Sequence, residues 1–123
     1  RAAAHTSLEE LRAPLAQLMQ GLQATTTALL TDLSNGKINE TLANSALYMK
    51  VFGHTVIGWR WLEQAIRAEE GLARGNSADE AFYRGKLQAA RYFLIWEVPA
   101  CHHELNLLDA KDQTCMEMQD SWF

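Results

Sequence analysis

Ser7-Leu8-Glu9-Glu10-Leu11-Arg12-Ala13-Pro14-Leu15-Ala16-Gln17-Leu18-Met19-Gln20-Gly21-Leu22 is the stretch that decides the fold. Leu8, Leu11, Leu15, Leu18 and Leu22 recur at alternating spacings of three and four. That repeat, about 3.5 residues, is the seam of helices packed in a left-handed bundle. The seam reads on through Thr26, Leu29 and Leu33. Ser7 and Glu10 have the spacing of a capping box, in which each side chain satisfies a free backbone N–H at the helix start. Pro14 forfeits one backbone hydrogen bond, which predicts a kink or a restart. Ser34-Asn35-Gly36 supplies residues suited to a left-handed helix cap.

The same signals continue downstream. A second helix is expected from about Asn39, a plausible N-cap, to Ala73, with a stop at Arg74-Gly75-Asn76. Its apolar residues, from Leu42 through Phe52, Val56, Trp59 and Trp61 to Ile66, cover more than one face. A helix apolar on most sides is expected to be surrounded by other elements. Gly53 and Gly58 lower helix propensity, which suggests close approach by a neighbour. Ser77 and Glu80 form a second capping-box pattern and open a third helix. One of its seams reads Phe82, Gly85, Ala89, Phe93, Trp96; the other reads Tyr83, Leu87, Ala90, Leu94, Val98, Cys101, Leu105, Leu108. Arg84, Gln88 and Arg91 line the opposite, solvated face. Both seams keep phase across Pro99, so one long helix to about Asp109 is expected, with a break at Val98-Pro99 as the competing reading. No segment alternates with period two, so no strand is expected. The fold class is all-α: an antiparallel helical bundle of three long helices, with a split of the third at Pro99 into a four-helix arrangement as the alternative.

Composition agrees with one domain over residues 1–123. The chain is 48% hydrophobic and 21% charged, proportions that allow one continuous core. A net charge of −4 carries no basic excess of the kind nucleic acid requires. The longest apolar stretch, residues 42–66, is broken by Lys50, His54, Arg60 and Glu63, so it reads as a buried helix and not a membrane span. Two cysteines are too few for a disulfide scaffold, and no basic-then-apolar leader is visible, so a reducing cytoplasmic setting is expected. The opening at Arg1 reads as the middle of a longer chain, a C-terminal fragment of a larger enzyme.

Few residues suggest chemistry. Cys101-His102-His103-Glu104 offers four metal-ligating types in a row. Successive helical residues point about 100° apart, so they cannot converge on one ion from a straight helix. Nor is there the paired Glu-x-x-His pattern of a di-iron bundle. Cys101 in the core, His103 at its edge, and His102 and Glu104 in water is the expected arrangement, with no metal ligand assigned. His54, on an apolar helix, is expected to be a hydrogen-bonded core residue. Trp59, Trp61, Trp96, Tyr83 and Phe93 could line a flavin or acyl pocket, but at helical spacing they read as core. No phosphate-binding glycine loop or nucleophile elbow is present, so no catalytic or cofactor-binding residue is assigned. Arg84, Lys86 and Arg91 could contact a phosphate or a neighbouring domain, although such charges more often form a solvated face. Trp122 and Phe123, ending a polar tail from Lys111, are expected to dock on the bundle or on a partner.

Three stretches taken together carry a resemblance: Phe52-Gly53-His54-Thr55-Val56-Ile57-Gly58-Trp59-Arg60-Trp61-Leu62, Ala81-Phe82-Tyr83-Arg84-Gly85-Lys86-Leu87-Gln88-Ala89-Ala90-Arg91-Tyr92-Phe93, and the ending Thr114-Cys115-Met116-Glu117-Met118-Gln119-Asp120-Ser121-Trp122-Phe123. They resemble the C-terminal extension of the larger bacterial acyl-CoA dehydrogenases, including the branch similar to methylthiopropanoyl-CoA dehydrogenases. The resemblance implies a parent enzyme that binds FAD, removes an α-proton from an acyl-CoA thioester with a glutamate and passes electrons to an electron-transfer flavoprotein. None of that machinery maps onto residues here. The implied role is a non-catalytic helical domain packing on the catalytic core or on a second subunit. A free-standing helical-bundle binding or metal protein is the alternative.

Overall fold

The computed structural model describes residues 8–75 and 77–123, and of residue 77 the backbone only. The capping roles expected of the Ser7 and Ser77 side chains lie outside the described residues. Helix α1 (Leu8–Ser34) forms where the leucine seam places it, and Leu11, Leu15, Leu18 and Leu22 are buried along it. Pro14 stays inside this helix without restarting it. Beyond Leu22 the buried line runs through Thr25 and Asp32, so Leu33, expected in the seam, is exposed. A straight helix turns once per roughly 3.6 residues, so a strict seam of roughly 3.5 drifts off the core after a few turns.

At the end of α1, Gly36 takes φ 84°. The Lys37 amide donates to the Asp32 carbonyl, and the Gly36 amide to that of Leu33. This paired bonding is the Schellman close. The expected second helix is divided into α2 (Ile38–Leu42) and α3 (Ser45–Ala73). Asn39 therefore lies inside α2 and caps nothing; Lys37 precedes that helix and makes no side-chain cap bond. Asn44 makes the break. It leaves helical geometry at φ −115°, ψ 32°, and its side-chain amide donates to the Asp112 carbonyl at 2.7 Å.

The third helix opens with a 3-10 turn (Ser77–Asp79), and its α-helical part is α4 (Glu80–Tyr92). It then passes through a π turn (Phe93–Glu97) and continues as α5 (Val98–Asp109). The backbone stays helical across Pro99, as the continuous reading expects. Pro99 has no N–H to give, and the wider turn before it shifts the bonding, so that the Val98 amide donates to the Phe93 carbonyl. At the far end, Lys111 takes φ 53° and repeats the Schellman bonding, its amide reaching the Leu108 carbonyl and that of Asp112 reaching Leu107.

Side-chain pairings fix the topology. Tyr48 of α3 meets Thr26 of α1 at 2.7 Å, while Gly58 lies against Leu15, so α1 and α3 run antiparallel. His54 meets Glu97 and Lys50 meets Glu104, so α3 and the α4–α5 rod are antiparallel too. Together they form an up-down-up bundle, and no strand occurs among the described residues. The core joins Leu11, Leu15, Leu18 and Leu22 to Val51, Leu62, Ala65, Ala90, Leu94, Val98, Cys101, Leu105 and Leu108. Each large side chain buried there contributes about 1.5–3 kcal/mol. Gly58 is closely packed there: a β-carbon would come within 3.0 Å of Leu15 and 3.2 Å of Val98. No described helix is long and apolar enough to cross a membrane.

Two expected burials fail. Helix α3 is not surrounded: Met49, Phe52, Val56, Ile57, Trp59 and Ile66 are exposed, because only two neighbours pack on it. Of the two seams on the third helix, the one through Leu94 and Leu105 faces the core. The other is turned outward at its two ends, with Phe82 62% and Trp96 70% exposed and Gly85 open, while Ala89 and Phe93 between them are half-buried.

Candidate interaction surfaces

The four consecutive residues from Cys101 diverge as helical geometry dictates. Cys101 is buried, and its Sγ lies 3.6 Å from the Glu97 carbonyl. Burial, reinforced by the nearby Glu104 carboxylate, pushes its thiol up to about 11. His103 is exposed and not at the core edge, while Glu104 is largely covered and pairs with Lys50 at 2.5 Å. The expected roles of these two are thus corrected. Glu104, three residues after Cys101, returns toward the core side; His103, two residues after it, points nearly opposite. The pairing with Glu104 holds Lys50 above its usual value. His54 stacks on Phe93 with ring centres 5.6 Å apart and faces Glu97 at 3.6 Å, and Tyr92 donates to the same carboxylate at 3.1 Å. These groups form a polar ladder that holds α3 against the π turn. Among the described residues no three of His, Cys, Asp and Glu gather to hold a metal ion.

Helix α4 carries three basic residues of interest, Arg84 and Arg91 exposed and Lys86 half-buried. Arg84 pairs with Glu80 at 2.8 Å within its own helix. Lys86 lies over the Trp61 ring at 5.7 Å and the Phe82 ring at 5.5 Å, a cation–π contact that bridges α3 and α4. Arg91 is exposed near the end of α4, next to Tyr92, which stacks on Trp96. The result is an aromatic surface edged by cations. Trp59 and Trp96 belong to the surface and not the core, while Trp61, Tyr83 and Phe93 are half-buried.

The tail is stapled at its start and free at its end. Lys111 pairs with Asp32 at 2.6 Å and holds that carboxyl below its usual range. Thr25 donates to Asp109, two residues before Lys111. Asp120–Trp122 form a 3-10 turn, and Trp122 and Phe123 are 66% and 95% exposed. They do not dock on the bundle of this chain.

A second surface gave little warning in the sequence. Ala16, Met19, Gln20, Gln23 and Thr27 of α1 and Tyr48, Phe52 and Thr55 of α3 line an open groove. A flavin dinucleotide does not fit there. Its pyrophosphate needs countercharges, and no charged side chain lines the groove, which runs along the middle of α1 and the first three turns of α3.

The fold and surfaces therefore define a class: a three-helix antiparallel domain that presents apolar and aromatic faces. The chain belongs to the acetyl-CoA dehydrogenase C-terminal-like family, whose family model matches residues 1–119. Neither the curated proteins nor the solved structures include a match to it.

Proposed function

We propose that this chain is the non-catalytic helical domain of an FAD-dependent acyl-CoA dehydrogenase, and that it docks on the catalytic part through the outer face of α4 and the tail. The family match along residues 1–119 carries this reading. The parent reaction is α,β-dehydrogenation of an acyl-CoA thioester, in the cytoplasm, with electrons leaving to an electron-transfer flavoprotein. FAD and thioester belong to the catalytic part. Phe82, Tyr92 and Trp96 supply apolar area for docking, and Arg91 and Lys86 edge it with charge. Trp122 and Phe123 extend the surface; aromatic and Arg residues of this kind dominate interface energetics. The test is to supply the catalytic part as a separate polypeptide and measure its association with this chain. Association is expected, and it should weaken at least about tenfold for Arg91→Glu combined with Trp96→Ala. Absence of association, or association indifferent to those changes, overturns the proposal.

A further inference from the structure

The Glu97 carboxylate is shared by side chains from two elements. Its Oε1 lies 3.6 Å from Nε2 of His54 on α3, and its Oε2 accepts the Tyr92 hydroxyl at 3.1 Å. Tyr92 stacks on Trp96 with ring centres 6.1 Å apart, and both rings are exposed. The π turn makes this sharing possible. In a regular α-helix, residues five apart point about 140° away from each other. A π turn closes each residue on the fifth beyond it, which brings Tyr92 and Glu97 to one side.

The His54 ring is satisfied only when it is protonated. Its Nδ1 lies 3.1 Å from the Lys50 carbonyl, which can only accept, so Nδ1 carries a hydrogen. A neutral imidazole has one N–H, and its Nε2 then turns a lone pair toward the carboxylate. The imidazolium donates at both nitrogens. Lys50, on the same helix, is engaged by Glu104 of α5 at 2.5 Å. The Tyr92 hydroxyl and the Cys101 thiol, which lies against the Glu97 carbonyl, are both raised above their ordinary values and stay neutral. Helix α1 brings no charge between Ala13 and Thr31. Imidazole is the side chain that ordinarily changes charge between about pH 5 and 8.

We propose that His54 is a proton-operated staple for the docking surface: its protonation fixes Glu97, and Glu97 in turn sets Tyr92 and Trp96 for the partner. This staple regulates the docking role proposed above for the outer face of α4 and rests on that reading. With His54 protonated, Glu97 is held from α3 and offers Tyr92 a fixed acceptor. With His54 neutral, the carboxylate turns from the lone pair toward solvent, and the Tyr92–Trp96 stack loses its anchor. Docking that selects the ordered face takes up a proton, so affinity falls as pH rises through the imidazole titration. The ion pair is partly exposed, which limits that fall to about two- to fivefold.

Two measurements test the staple. The Trp96 indole N–H is followed by NMR in the native chain between about pH 5.5 and 8, beside the His54 ring signals. Calorimetric titration against the catalytic part is run at the two ends of that interval. His54→Gln and Glu97→Gln each remove an ionisable group and keep a hydrogen-bonding one. His102 and His103 remain in both variants, so their titration cancels. In the native chain the Trp96 signal is expected to move with the titration of His54, and in the variants that movement should disappear. Docking of the native chain should weaken about two- to fivefold more than that of either variant. A Trp96 signal indifferent to His54, or equally mobile in the variants, overturns the proposal. So does docking with the same pH dependence in all three chains. Absence of docking at any pH overturns the docking role and its regulation together, whereas pH-indifferent docking overturns the staple alone.

Discussion

Gly58 and Gly85 are the same residue in the middle of two helices, and they answer to different constraints. Gly58 sits where Leu15 and Val98 leave little room for a side chain; a β-carbon on Gly85 meets nothing within 4 Å. Gly58→Val should therefore destabilise the chain by roughly 1–3 kcal/mol through overpacking. Gly85→Ala should stabilise it by up to about 1 kcal/mol through helix propensity alone. Urea unfolding of the two variants reads both signs. The two cysteines divide the same way. Cys115 is exposed and Cys101 buried, so a thiol reagent should label Cys115 in the native chain and Cys101 only on unfolding. Because burial raises the Cys101 thiol from 9.0 to about 11, the folded state holds that proton after the unfolded chain has lost it. Stability from this source is complete below the lower value and falls as pH rises from there to the upper one. Cys101→Ala should flatten that alkaline decline in thermal melts, and an unaltered decline would show that other groups cause it. Residue patterns could place Cys101 in the core, since it lies on the Leu94–Leu105 seam. They could not distinguish Gly58 from Gly85, because what each glycine faces is set by neighbouring helices.

Elements were legible where their apolar stripe is narrow. Helix α1 and the inner seam of α4–α5 were readable from spacing alone, since one row of Leu, Val and Ala can face one core. Helix α3 was harder: apolar residues all round it predicted burial, but the chain supplies only two neighbours. The split at Asn44 leaves no local signal, because its partner is the Asp112 carbonyl, far along the sequence. Pro99 shows how an element absorbs a local fault. In a regular helix interior proline costs about 3 kcal/mol or more, largely through a lost bond and a clash with the preceding turn. Here the π turn at Phe93–Glu97 has already widened the bonding before Pro99. Pro99→Ala should accordingly change unfolding free energy by less than about 1 kcal/mol. A gain near the full regular-helix cost would show that the π turn relieves nothing.

For the whole molecule, the exposed apolar surface marks what the bundle is built to meet, and the tail puts that to a test. Lys111, Asp109 and Asn44 fasten the start of the tail to α1 and to the α2–α3 break, independently of its end. Trp122 and Phe123 lie beyond these contacts and are exposed, so their burial contributes little to the isolated chain. Deleting Ser121 to Phe123 should therefore leave its melting temperature unchanged, and hydrogen exchange in α1, α3 and α5 unchanged with it. On the catalytic part the outcome should differ. Each aromatic buried on docking contributes about 1.5–3 kcal/mol. Losing one should raise the dissociation constant at least about tenfold, since about 1.4 kcal/mol is a factor of ten. Calorimetric titration of the native and shortened chains against the catalytic part, beside thermal melts of each alone, separates the two effects. A lower melting temperature for the shortened chain alone would place the anchor on its own bundle. Equal affinity of the two chains would remove the tail from the docking surface.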